Sequence, residues 1–331
     1  MSAAIVSLDP ATYVAHSTHL GERDWAESNC YVDLWIELLH GLGYEPLAGL
    51  GFALGVDLEA DQWTFFKFLH DELYDLYGIT VFEMNPWSSV LDQTIHEVAA
   101  GRPVLIEMDA WFLPDTQGTT YRTGHTKTSI GVVQIDRVAE TLGYFHNQSF
   151  HTLSGEDFRG IFRLDRANAA DGDDPHLAPY IEVAKLGQAR ALRGDALATR
   201  SLELLRKHAR RAPSANPFVA FGARFDAEIE TLRASGGGLY HAYAFASFRQ
   251  FGAAFSLAAA SIEWLAGSGI DLPDLHPSVR AFHGISSTAK TLQFRTARAA
   301  LAGKPLDATP QLTALADAWD EGIGHLRSAL D

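Results

Sequence analysis

The chain has one cysteine in 331 residues, Cys30, and that scarcity excludes several classes of protein. A lone cysteine forms no intrachain disulfide and supplies no multi-cysteine metal site. No apolar run reaches the roughly 18 residues of a membrane span, so a membrane is not an expected partner. The start, Met1-Ser2-Ala3-Ala4-Ile5, lacks the basic region and apolar core of a signal peptide. Together these features point to a reducing cytoplasm. Basic residues are also short: 26 Lys and Arg face 41 Asp and Glu, for a net charge of −15. That balance disfavours nucleic acid. The Gly-rich stretch 46–56 has no phosphate-loop spacing and no following Lys-Ser/Thr, so no nucleotide site is read there. Repeats and low-complexity tracts are absent as well.

What remains is an ordinary globular composition, 47% hydrophobic and 20% charged. The charge is unevenly spread. Residues 1–184 carry 9 Lys+Arg and 28 Asp+Glu, and the remainder carries 17 and 13. An acidic part joined to a mildly basic part suggests two domains. Hydrophobic spacing predicts helices over 23–43, 61–77 and 88–100, and strands over 79–84, 103–109, 125–134 and 141–149. The polar break Asp171-Gly172-Asp173-Asp174-Pro175 is the expected boundary. Beyond it the pattern predicts helices over 176–192, 195–211, 217–234, 239–266, 277–302 and 310–330. The expected fold class is α+β with an antiparallel sheet over 1–172, followed by an all-α helical domain over 173–331.

Cys30 opens the first of these helices. Val32, Leu34, Trp35, Leu38, Leu39 and Leu42 recur at helical spacing, and Gly41 and Gly43 end the run. A helix start gathers unpaired N–H groups and the positive end of the dipole. Such a place favours thiolate and can hold an oxyanion. Cys30 is therefore either a reactive thiol or an inert core thiol. A cysteine nucleophile needs a base close in space. His125, which follows Gly124 at a strand start, is the best candidate. A third group orients the imidazole, and Asn147 on the next strand is placed for it, unless it is an ordinary turn residue. His146 and Gln148 face the other side of that strand. Asp109, at the end of a buried strand, either binds an acceptor amine or holds the loop 110–123. His146 and His151 with Asp109 lack a tight ligand spacing, so no metal is expected.

The order of helix-borne Cys30, strand-borne His125 and then Asn147 resembles the papain-like cysteine peptidase and acyltransferase superfamily. It is most similar to the N-terminal domain of the butirosin-biosynthesis H group. The matching segments are Asn29-Cys30 before the apolar helix, the strand Gly101 to Asp109, Gly124-His125 before a Val-rich strand, and Asn147 before a polar turn. They cover residues 20–165. The whole chain also resembles an uncharacterised bacterial family associated with amino acid:carrier protein ligases. The papain flank Cys-Gly-Ser/Ala-Cys-Trp/Tyr is absent, and no Gln precedes Cys30 in Asp24-Trp25-Ala26-Glu27-Ser28. The resemblance thus implies acyl transfer more than peptide hydrolysis. Cys30 would take an acyl or aminoacyl group from the phosphopantetheine arm of an acidic carrier protein and pass it to a small amine or hydroxyl acceptor. No tightly bound cofactor is implied. His125 would serve as base, Asn147 would fix its tautomer, and Asn29 and Asp109 would lie at the substrate. An amidase or peptidase with the same residues is the alternative enzyme. An inactive papain-like scaffold that binds a carrier protein or ligase is the alternative outside enzymes.

The helical part adds two further candidates. His241, Arg249, His283 and Lys290 are polar residues among apolar ones; they either line a substrate cleft or are satisfied between helices. The stretch 185–211 is basic, and Arg206, Lys207, Arg210 and Arg211 are its candidate docking residues for an acidic carrier protein. The alternative is a solvated helix face.

Overall fold

The computed structural model describes residues 2–20, 25, 27–164 and 179–331. In chain order these form β1 (Ser2–Ala4), α1 (Cys30–Gly41), β2 (Leu58–Glu59), β3 (Gln62–Trp63), α2 (His70–Tyr77), β4 (Ile79–Glu83), α3 (Val90–Ala99) and β5 (Val104–Asp109). Then come β6 (Lys127–Asp136), β7 (Thr141–His146), β8 (Ser149–Ser154), α4 (Glu156–Ile161) and β9 (Ile181–Leu186). The remainder is helical: α5 (Gly194–Arg211), α6 (Pro217–Ala234), α7 (Tyr240–Ala244), α8 (Gln250–Gly267), α9 (His276–Ala302) and α10 (Thr309–Leu330). A π-helical turn, Phe245–Arg249, joins α7 to α8. The architecture is α+β, an antiparallel sheet followed by a helical region. Among the described residues no helix is long and apolar enough to cross a membrane.

Two compact units interleave along the chain. The first takes Met1–His19, Asn29–Pro46 and Leu73–Ala191, and the second takes Leu20–Ser28, Leu47–Glu72 and Leu192–Asp331. The first unit is built on an antiparallel sheet in the order β4-β9-β5-β6-β7-β8, with β1 paired to the far end of β6. Alternation sends Val104, Ile106, Met108, Ile130, Val132 and Tyr144 to one face, where they pack with Leu91, Ile95 and Val98 of α3 and Phe158 and Ile161 of α4.

The other face carries α1. One row of paired residues crosses the sheet there: Glu182, Leu105, Gly131, Phe145 and Phe150. Helix α1 lies over this row. Tyr31 donates its hydroxyl to Glu182 at 2.6 Å, Leu34 sits against Gly131, and Gly41 meets the Phe145 ring. A side chain at Gly131 would run into Leu34, so the missing Cβ is what lets the helix approach.

The sequence pattern missed what occupies the remaining side of α1. Asp33 and Glu37, one turn apart, are 1% and 0% exposed. The segment before the helix satisfies them: Tyr13 donates to Glu37, the backbone N–H of His16 reaches both Glu37 oxygens, and the His19 ring bridges Glu37 and Asp33. Burial alone would lower the His19 pKa. The hydrogen bonds and charges of Asp33 and Glu37 overcome that and push it up to about 9.

In the second unit α8, α9 and α10 pack side by side, and Gly322 of α10 gives room to Phe282. Trp63 joins Phe218, Phe221 and Phe251 in an aromatic cluster. Glu72 is buried and paired with His208 and Lys207 of α5. Burial would raise its pKa, but these two partners lower it instead.

Three expectations about elements need correcting. The helix expected from 23 begins at Cys30, because the Asn29 side chain accepts the N–H of Val32 and caps it there. The helix expected over 61–77 is real only from His70. Its first part is the β2–β3 hairpin, closed by the Thr64 and Asp57 hydrogen bonds, with the apolar spacing of Trp63 and Phe66 imitating a helix. Residues 181–186, expected within a helix over 176–192, are instead β9, placed between β4 and β5. Ile181 and Val183 face the core in a period of two, which is the strand signal. The expected boundary at 171–175 lies outside the described residues.

His19 has a folded pKa near 9 against an ordinary 6.5, so its stabilisation is fully present below about 6.5 and fades as pH rises through about 9. The lost part is on the order of 3 kcal/mol. Urea unfolding between pH 6 and 10 checks this: His19→Gln should be weaker at pH 6 and lack that pH slope. Separately, Gly187→Ala should cost about 1–3 kcal/mol in the same assay, because the new Cβ meets the Gly78 backbone oxygen beside the β4–β9 pair.

Candidate functional site

Asp109 is the last residue of β5 and pairs in register with Lys127, the first of β6. The loop between them must leave and return at one end of the sheet, and that closure brings His125 to Asp109. The His125 Nδ1 lies 2.6 Å from Asp109 Oδ2. The other carboxylate oxygen, Oδ1, accepts the Trp111 N–H at 3.1 Å and so caps the turn 110–112. The Trp111 ring stacks on the imidazole, with centroids 4.6 Å apart and planes 12° from parallel. One carboxylate therefore fixes both the histidine and its stacking partner. In the neutral ring that donates Nδ1–H to Asp109, Nε2 carries the lone pair; Nε2 makes no hydrogen bond among the described residues. That is the form a general base requires.

A second buried pair clamps the same loop. Asp115 accepts the Tyr144 hydroxyl on Oδ1 and lies 2.5 Å from His146 Nδ1 through Oδ2. The other nitrogen of His146 meets Thr128 Oγ1 at 2.8 Å. Burial would raise the Asp115 pKa, but His146 and Tyr144 hold it below the usual carboxylate range. Burial also lowers the pKa of neighbouring His151. Further along, Tyr121 and Arg122 both bind Asp157 of α4. The loop is thus held at Asp109, Asp115 and Arg122.

His125 and Asp109 line a cavity of about 600 Å³. Its walls are mixed: Met108, Phe112 and Phe162 are apolar, while Glu107 and Lys127 form a 2.6 Å ion pair.

Cys30 is the first residue of α1 and is partly exposed. It does not line this cavity and makes no hydrogen bond to His125 among the described residues. Asn29 is fully buried, and its side chain caps the helix. Asn147 does not orient His125. The strand expected over 141–149 breaks into β7 and β8, and Asn147 stands in the turn at φ +47°, a left-handed conformation Asn tolerates. The partner of His125 is the carboxylate of Asp109.

The remaining candidates belong to the helical unit. Arg249 ends the π-helical turn and donates to the Ser28 carbonyl and to Glu27. Lys290 lies 4.3 Å from the centre of the Trp25 ring. His283 is exposed and paired with Glu263 at 3.0 Å, and His241 is exposed beside Tyr240. On α5, Lys207 pairs with Glu72 at 2.7 Å. Arg206, Arg210 and Arg211 form no ion pair among the described residues.

Trp111, Asp115 and His146 carry no local sequence signal as loop anchors. A usable signal existed for Asp109: a strand ending in a carboxylate, followed by a loop whose return carries His two residues before the next strand.

Removing the carboxylate should release the tautomer. In Asp109→Ala, two-bond proton–nitrogen NMR of His125 should show the proton shifted from Nδ1 toward Nε2. An unchanged Nδ1–H pattern would mean that Asp109 does not set it.

Two family models match the chain, the DUF1839 N-terminal domain over residues 14–186 and the DUF1839 C-terminal domain over residues 194–328. No curated protein matches it.

Proposed function

The chain belongs to the DUF1839 family, and from that premise we propose that it is a cytoplasmic acyl or aminoacyl transferase that uses Cys30 as nucleophile and His125 as base. The observation that carries this reading is the 2.6 Å His125–Asp109 pair lining a ligand-sized cavity. Two features support a papain-like reading of the unit. Cys30 occupies the first turn of a helix packed on an antiparallel sheet, and His125 stands just before a strand of that sheet. Asp109 takes the orienting role that Asn147 does not fill.

The chemistry balances without a cofactor. His125 Nε2 takes the Cys30 proton, and Sγ adds to the carbonyl of a carrier-protein thioester. The backbone N–H groups at the start of α1 hold the oxyanion. The intermediate collapses, the arm's thiol leaves with the proton from His125, and the acyl group remains on Cys30. An acceptor amine then attacks, His125 takes its proton, and the Cys30 thiol is regenerated. Among basic groups, Arg206, Arg210 and Arg211 remain to meet an acidic carrier protein.

The cavity lining favours one second reading. It includes His125 and Asp109 but not Cys30. In that reading His125 activates the acceptor or a water directly, with no covalent stage.

Intact-protein mass spectrometry after mixing with acyl-loaded carrier protein tests both. A mass gain that disappears in Cys30→Ala is expected, and His125→Ala should slow its formation by roughly 10²–10⁴-fold. Turnover that survives Cys30→Ala but not His125→Ala selects the direct mechanism. No adduct, no turnover and ordinary thiol alkylation would leave the inactive scaffold.

A further inference from the structure

The charged groups around the cavity are mostly paired. Each lining carboxylate has a partner beside it: Glu107 has Lys127, Asp109 accepts from His125, and Glu156 has Arg122 at 3.5 Å. Arg159 is spent outward on Glu140, its Nε within 3.0 Å of both oxygens. Arg163 also lines the cavity, is exposed, and forms no ion pair or hydrogen bond through its side chain among the described residues. It stands just past α4 at φ +55°, a conformation that costs an L-residue energy. Beside it the wall is apolar, with Phe112, Ile161, Phe162 and Val90.

We infer that this cavity binds an organic anion with an apolar body, its anionic group on the Arg163 guanidinium and its body against Phe112 and Phe162. A guanidinium matches the two oxygens of a carboxylate or phosphate in a bidentate fork. The volume, about 600 Å³, lies within the range of small-molecule sites. The inference deepens the proposed function in naming the ligand class of the His125 cavity, and rests on that reading only for the identity of the site. The anion has two chemical sources, the carboxylate of an acceptor molecule or the phosphodiester of a carrier-protein arm.

Calorimetric titration of the full chain separates them. The probes are phenylacetate, phenyl phosphate and neutral benzyl alcohol. At least one anion should bind about tenfold or more tightly than benzyl alcohol. That preference should vanish in Arg163→Gln, recover in part in Arg163→Lys, and persist in Arg159→Gln, with unchanged melting temperatures. Preference for phenylacetate assigns the site to an acceptor carboxylate; preference for phenyl phosphate assigns it to the arm. Benzyl alcohol binding as well as both anions, or an anion affinity unmoved by Arg163→Gln, overturns the inference. The same titration on Cys30→Ala should match the wild type. Loss of the Cys30 adduct chemistry with retained Arg163-dependent binding would then defeat the catalytic reading alone.

Discussion

A single imidazole between two buried carboxylates conditions the sheet unit. Helix α1 covers the sheet because its apolar positions meet the row through Gly131, yet it carries Asp33 and Glu37 into full burial. Two unpaired carboxylates there would cost more than the packing returns. His19, with Tyr13 and the His16 N–H, supplies the charge and hydrogen bonds that make the burial tolerable. His16, Thr18 and His19 of the segment before the helix are therefore buried with it.

The same logic recurs at the site end of the sheet. Asp109, Asp115 and Asp157 each anchor the loop between β5 and β6 by accepting from its residues or from the strands beneath it. Carboxylates fixed by several donors lose little entropy when a ligand arrives, so the geometry of His125 and Trp111 exists before binding. The apolar face below, shared with α3 and α4, gives these anchors a rigid base. Among the described residues of that wall, Arg163 is the cation whose side chain makes no ion pair.

Helix spacing gave the helices of the second unit with ends shifted by one or two residues, because long amphipathic runs carry their own period. It failed at 181–186, where the period-two strand Ile181–Leu186 was absorbed into a longer helical reading, and at 61–69, where aromatic spacing served a hairpin. Asn147 was misplaced for a related reason. The turn between β7 and β8 spans only Asn147 and Gln148, too short to interrupt the strand pattern around it, and Asn147 takes a left-handed φ there.

From the sequence alone came the α+β order, the helical end of the chain, Cys30 at a helix start, His125 before a strand, and Asp109 as the carboxylate closing another. These are local properties, set by periodicity, caps and turn chemistry within a few residues. Only the tertiary structure decided that Asp109 rather than Asn147 holds His125, that Lys207 is spent on Glu72, that Asp33 and Glu37 are buried on His19, and that Cys30 lies outside the cavity lined by His125. Partner choice among charged groups depends on strand register and loop closure, which join residues far apart in the chain, and no local pattern records them.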